Sequence, residues 1–209
     1  EAVVGDPETR KAMKAKALAK AQTEARAAMA KNWIAENGVL TGAADGGTIG
    51  SAKNYENFEL ILDWKTEGEA AMGIRSIPQI ALGGKNSGAL TGNMLHDNAA
   101  PKAAANGPQE WNTMQVKVVS DRVTVVLNGV TTAENVILEN ACNREIPAYA
   151  EGQILLIAGN APLNVREMYI RELPATPHFE LSEEEAADGF EVLFDGTSMH
   201  KWTGNTTNY

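Results

Sequence analysis

From Asn54 to Asp63 polar and apolar residues alternate around Phe58, Leu60 and Leu62. Strict alternation of this kind predicts a strand with one buried and one wet face. Gly107–Asn128 repeats the pattern twice, predicting strands over Met114–Val119 and Arg122–Leu127 joined at Ser120-Asp121. A further turn is expected at Asn128-Gly129, because Asn-Gly readily adopts the positive φ of a tight hairpin. Trp33–Leu40 reads as strand, turn, strand, and shorter strands are expected over Gln79–Leu82, Gln153–Ala158 and Val165–Leu173. The body is therefore expected to be an antiparallel β sandwich, with function on a sheet face or in the end loops.

The first thirty residues differ. Asp6-Pro7-Glu8 is a helix start, and the Ala-, Lys- and Gln-rich run to Lys31 continues it. Its thin apolar stripe (Leu18, Ala21, Ala25, Met29) suits a surface helix on the sandwich. Ala43–Gly50 reads as a Gly-rich loop that lacks the phosphate-loop pattern. Gly88–Gly107 is a long aperiodic excursion, of the kind often functional in a compact domain. Pro174–Pro177 forms a linker, and Ser182-Glu183-Glu184-Glu185 is a capping-box start of a short helix. The expected units are a helical segment over 1–31, a sandwich over 32–174, a linker with a short helix over 175–188, and a strand-like tail over 189–209.

The net charge is −9 over 209 residues, which argues against nucleic acid and against an anionic membrane surface. No stretch is apolar enough to span a bilayer, and no secretory leader is legible. Cys142 is the single cysteine, so an intrachain disulfide and a multi-thiolate metal site are both excluded.

Several segments, taken in order, resemble the 3-keto-disaccharide hydrolase family, also described as 3-keto-glycoside lyases and hydratases. They are Trp33…Glu36-Asn37-Gly38-Val39-Leu40; Tyr55…Asn57-Phe58-Glu59-Leu60…Asp63-Trp64-Lys65; Gly73-Ile74-Arg75…Pro78-Gln79-Ile80; Glu110-Trp111-Asn112; Arg122-Val123-Thr124-Val125…Leu127-Asn128-Gly129; Gly152-Gln153-Ile154; and Arg166…Tyr169-Ile170-Arg171-Glu172-Leu173. The resemblance implies an all-β, concanavalin A-like jelly-roll sandwich preceded by a helix. It also implies a carbohydrate ligand on a concave sheet, and a secreted or periplasmic bacterial setting. The tail Gly189–Tyr209 resembles the opening of the same family's domain. That leaves two expectations open: a second sandwich domain begins there, or the tail supplies a strand to this sandwich or, by exchange, to a neighbour's.

Glycosidic hydrolysis by the usual route needs two carboxyls. Glu59 and Asp63 share one strand face by period, either lining a groove or as solvated charges. A 3-keto sugar instead has an acidified C–H, so cleavage needs a base and an enolate stabiliser, which a cation or divalent metal can supply. By resemblance, Arg75 anchors sugar oxygens with Gln79 beside it; a structural hydrogen bond at a sheet bend is the alternative for both. Trp111 is a candidate for stacking on a sugar ring or for the core, and His96, in the long loop beside Asp97, for recruitment to the site. Two departures stand out. Many relatives carry an Asp where this chain reads Leu82-Gly83-Gly84, and a His where it reads Ala158-Gly159-Asn160. No metal ligand set or catalytic residue is assigned. A non-catalytic carbohydrate-binding or structural sandwich is therefore the alternative to a glycoside hydrolase or lyase.

Overall fold

The computed structural model describes residues 1–91, 104–140, 142–143, 145–177, 179–194 and 201–204. Two helices, α1 (Pro7–Ala12) and α2 (Ala15–Asn32), lead into β1 (Trp33–Glu36), β2 (Val39–Gly42), β3 (Gly47–Gly50) and β4 (Phe58–Lys65). Next come β5 (Ala70–Gly73), β6 (Gln79–Leu82), β7 (Leu90–Thr91), β8 (Asn112–Val119) and β9 (Arg122–Leu127). Strands β10 (Val130–Ile137), β11 (Leu155–Ala158) and β12 (Leu163–Glu172) precede a short helix, α3 (Glu183–Ala187). The strands form two antiparallel sheets, one of seven strands in the order β1-β2-β12-β4-β8-β9-β10 and one of five in the order β3-β11-β5-β6-β7. The chain is an all-β jelly-roll-type sandwich with an N-terminal helical segment.

Alternation along β4 places Phe58, Leu60, Leu62 and Trp64 between the sheets, each at most 1% exposed. Met72, Ile80 and Leu82 meet them from the five-stranded sheet, and Met114, Val116, Val123, Val125 and Leu127 extend the layer. Each such side chain contributes roughly 1.5–3 kcal/mol through burial. The β9–β10 turn is built as its sequence predicts, with Asn128 at φ 49° and Gly129 at φ 81°. Asn128 Oδ1 also accepts from the Thr113 backbone N–H at 2.9 Å.

The structure corrects the sequence reading at three places. The helix expected from Asp6 to Lys31 is broken at Met13, whose backbone is extended (φ −77°, ψ 139°). Helix α1 is tethered to the sandwich by the Tyr149 hydroxyl, which donates to Glu8 at 2.6 Å, while α2 lies against β1 and β3. Second, the Gly-rich loop contains β3, which pairs with β11 from Gly47↔Ala158 to Gly50↔Leu155. Its side chains carry no alternation; backbone pairing alone makes it a strand. Third, β5 and β10 were not expected as strands. Short Ala-rich β5 has no clear period, and β10 is broken by register shifts at Ala133 and Val136. Of the tail, residues 189–194 and 201–204 are described, and these contain no strand. Ser182 does cap α3 in a capping box with Glu185.

Candidate functional site

The candidate site is the outward face of the seven-stranded sheet, across β12, β4 and β8. Cα register sets its grid. Arg171, Glu59 and Lys117 form one row, Tyr169, Ile61 and Gln115 the next, and Arg166, Asp63 and Thr113 the third. Asn164 opposite Lys65 completes it. Tyr169 is 64% exposed and Ile61 43%, so an aromatic ring and an aliphatic side chain lie open between two charged rows.

A β-bulge puts Tyr169 there. Between Arg166↔Asp63 and Tyr169↔Ile61, β12 carries one residue more than β4, with Glu167 in the left-handed region at φ 48°. An extra residue reverses the facing of every side chain beyond it. Without it Tyr169 would point to the core side and Met168 outward.

The two carboxylates of β4 are both engaged. Asp63 Oδ2 accepts from Arg166 Nε and Nη2, each at 3.2 Å, and Oδ1 from the Thr113 hydroxyl at 2.6 Å. Glu59 accepts from Arg171 and lies 3.5 Å from Lys117 Nζ. The Arg171 hydrogen bond, aided by the two positive charges, holds the Glu59 carboxyl below the usual carboxylate range. Four residues apart on one strand, their Cα atoms stand about 13 Å apart, and each carboxyl is held by partners in its own row. The spacing of those rows exceeds the ~5–9.5 Å between paired glycosidase carboxyls.

Trp111, half-buried just before β8, borders the same face. The Arg166 guanidinium carbon lies 4.1 Å from its ring centroid and Lys65 Nζ 5.0 Å. A recess of about 190 Å³ lined by Lys65, Thr66, Glu67, Gln109, Pro162 and Asn164 opens at this end of β4.

The structure thus brings together Glu59, Asp63 and Trp111, but not the other candidates. Arg75 is 2% exposed, in the turn between β5 and β6. Its Nε donates to the Glu56 carbonyl at 2.9 Å, Nη2 to Asn57 Oδ1 at 3.3 Å and Nη1 to the Tyr149 carbonyl at 3.4 Å. Burial lowers its pKa to about 10. The guanidinium is directed at protein acceptors, the hydrogen-bonded bend that was the alternative to a sugar anchor. Gln79 starts β6 on the side opposite buried Ile80, and so lies on the outward face of the five-stranded sheet, across the sandwich from Glu59 and Asp63. His96 lies outside the described residues, as do Asp97, His178 and His200.

At Gly159 and at Gly83 the backbone leaves no room for a side chain. A Cβ at Gly159 would lie 1.9 Å from the Glu69 carbonyl oxygen, so no side chain fits. At Gly83, φ is 77° and a Cβ would meet the Gly68 carbonyl oxygen at 2.0 Å. Among the described residues no three His, Cys, Asp or Glu side chains cluster to hold a metal, and no helix is long and apolar enough to cross a membrane.

The residues that sequence reasoning missed as site members are Tyr169, Arg166, Arg171, Gln115 and Lys117. Alternation in β8 gives Gln115 and Lys117 an outward position directly. The facing of Tyr169 depends on the bulge, which no local pattern announces.

The sandwich fold is what the solved structures share with this chain. The fold resembles that of a "putative glycosyl hydrolase" from Parabacteroides distasonis ATCC 8503 at 24% identity and TM-score 0.56, covering 68% of this chain and 91% of that one. A second protein of the same description and organism gives 18% identity and TM-score 0.53, covering 69% and 84%. No curated protein sequence matches significantly. The model of the 3-keto-alpha-glucoside-1,2-lyase-like domain matches residues 15–171, and the chain belongs to that family.

Proposed function

We propose that this domain binds a saccharide of the glycoside type along the outward face of β12, β4 and β8. The observation that carries this reading is the exposed Tyr169–Ile61–Gln115 row set between two rows of charged groups. An aromatic face beside an aliphatic side chain suits the apolar C–H face of a pyranose, and flanking polar groups suit its hydroxyls. Family membership over residues 15–171 makes a 3-keto-glycoside the first ligand to try. With Glu59 and Asp63 both ion-paired and far apart, the geometry favours binding over cleavage by these two carboxyls. Titration with 3-keto- and unmodified glucosides, followed by backbone NMR, tests the reading. Shifts centred on Tyr169, Ile61 and Gln115, lost in Tyr169→Ala, are expected. Shifts confined to the five-stranded sheet would overturn it. Turnover of the 3-keto substrates, with and without added divalent metal, tests the hydrolase or lyase reading. Turnover surviving Glu59→Gln and Asp63→Asn would place its base elsewhere.

A second reading concerns assembly. Beyond Val165, β12 has no strand partner on its β2 side among the described residues, while Phe190, Leu193 and Phe194 are 66%, 57% and 53% exposed. An unpaired edge in a chain that also exposes an apolar segment favours strand addition. We propose that the tail adds a strand to a sandwich, its own or a neighbour's, or opens a second one. Hydrogen exchange of 189–194 against concentration separates these: protection at all concentrations means its own sandwich, protection that grows with dimer means exchange, and none means neither. A secreted or periplasmic setting is proposed with the saccharide ligand, and cell fractionation tests it.

A further inference from the structure

Counted over its register pairs, the face across β12, β4 and β8 has a charge sign opposite to that of the chain. Its outward register positions hold four cations, Arg166, Arg171, Lys65 and Lys117, against two carboxylates, Glu59 and Asp63. The chain as a whole carries −9. Glu167, at the bulge, and Glu67, in the recess beside Lys65, lie outside these register pairs.

The hydrogen-bonding balance points the same way. Neutral sugars present hydroxyls that both donate and accept. Here the carboxylate oxygens are engaged: Glu59 by Arg171 and Lys117, Asp63 by Arg166 and Thr113. The donors are not. A guanidinium has five N–H groups in a planar fork, and an ammonium has three. Arg166 turns Nε and Nη2 toward Asp63, leaving Nη1, and Arg171 reaches Glu59 through Nη2 alone. Arg171 and Lys117 have 73% and 55% of their side-chain surface exposed. A donor-rich, positively charged face complements a ligand that offers acceptors and negative charge. The two arginines stand on rows about 13 Å apart with Tyr169 and Ile61 between them. A sugar ring resting on Tyr169 would therefore have a cation row on each side.

Resting on the reading of this face as a saccharide site, we infer that its preferred ligand is an acidic oligosaccharide, one carrying uronate carboxylates. Competition for phosphate backbones is disfavoured by the acidity of the rest of the molecule.

The test is calorimetric titration of the full chain with an oligogalacturonate, its methyl ester, a neutral glucan oligomer and a sulfated oligosaccharide, all of one length. The uronate is expected to bind about tenfold tighter than its ester or the neutral oligomer, from several exposed ion contacts. That margin should shrink with salt and in Arg171→Gln and Lys117→Gln, whose side chains are too exposed to be needed for folding. Equal binding of uronate and ester overturns the acidic preference but leaves the saccharide face standing. Equal binding of the sulfated ligand overturns the carboxylate assignment. Binding of none, or binding unaffected by Tyr169→Ala, overturns the face itself.

Discussion

Arg166 lies with its guanidinium carbon 4.1 Å from the Trp111 ring centroid while its Nε and Nη2 both reach one oxygen of Asp63 at 3.2 Å. One side chain thereby fixes an aromatic ring and a carboxylate at one end of the sheet face. Arg166→Ala should cost about 1 kcal/mol or less in urea unfolding, since the contacts are partly exposed. Arg166→Lys should keep the charge but not the fork, and recover little of the Trp111 fluorescence change that accompanies Arg166→Ala.

Glu59 gives a pH signature. Its folded pKa is depressed, so it contributes stability that is fully present above the unfolded value and lost as pH falls through the folded one. The carboxyl should titrate by NMR below the ordinary glutamate range. In Arg171→Ala it should move back up, and acid unfolding should begin at a higher pH.

Arg75 should behave as a structural residue. Its removal takes the guanidinium donors away from the Glu56 and Tyr149 carbonyls, while Asn57 Oδ1 keeps only the Ser120 backbone N–H. Arg75→Ala should destabilise by about 3 kcal/mol in chemical denaturation. Arg75→Lys should not rescue it, because an ammonium cannot span three acceptors held by separate segments.

Restoring a histidine at 159 should fail. Gly159→His must displace the Glu69 carbonyl, and so should cost stability at or beyond the ~1–3 kcal/mol of an overpacked core. Thermal melting of Gly159→Ala and Gly159→His, with the exposed Lys85→His as control, checks this: both 159 variants should melt well below the control.

The bulge at Glu167 offers a sharper handle. Glu167→Gly should stabilise by up to about 1 kcal/mol, since glycine takes positive φ without penalty. Deleting Glu167 should instead turn Tyr169 toward the core and abolish ligand-induced shifts on the face. Heteronuclear NMR of the two variants distinguishes them.

Much of this molecule was legible in its sequence. The alternation of β4, β8 and β9 is local, so the core face and the outward placement of Glu59 and Asp63 followed directly. The Asn128-Gly129 turn and the Ser182 cap rest on contacts within a few residues, and were equally readable. Strands β3 and β5 were not, because their residues have no period and sheet membership comes from partners distant in sequence.

The sequence by itself determined which strands have two unlike faces, because that depends only on the spacing of side chains along one strand. Tertiary structure alone decided which candidates meet. It set Arg75 in a buried turn and Gln79 on the opposite sheet, closed Gly159 against the Glu69 carbonyl, and through one extra residue in β12 brought Tyr169 out between two charged rows. Those outcomes depend on register and on how the two sheets stack, and neither is a property of any short stretch of chain.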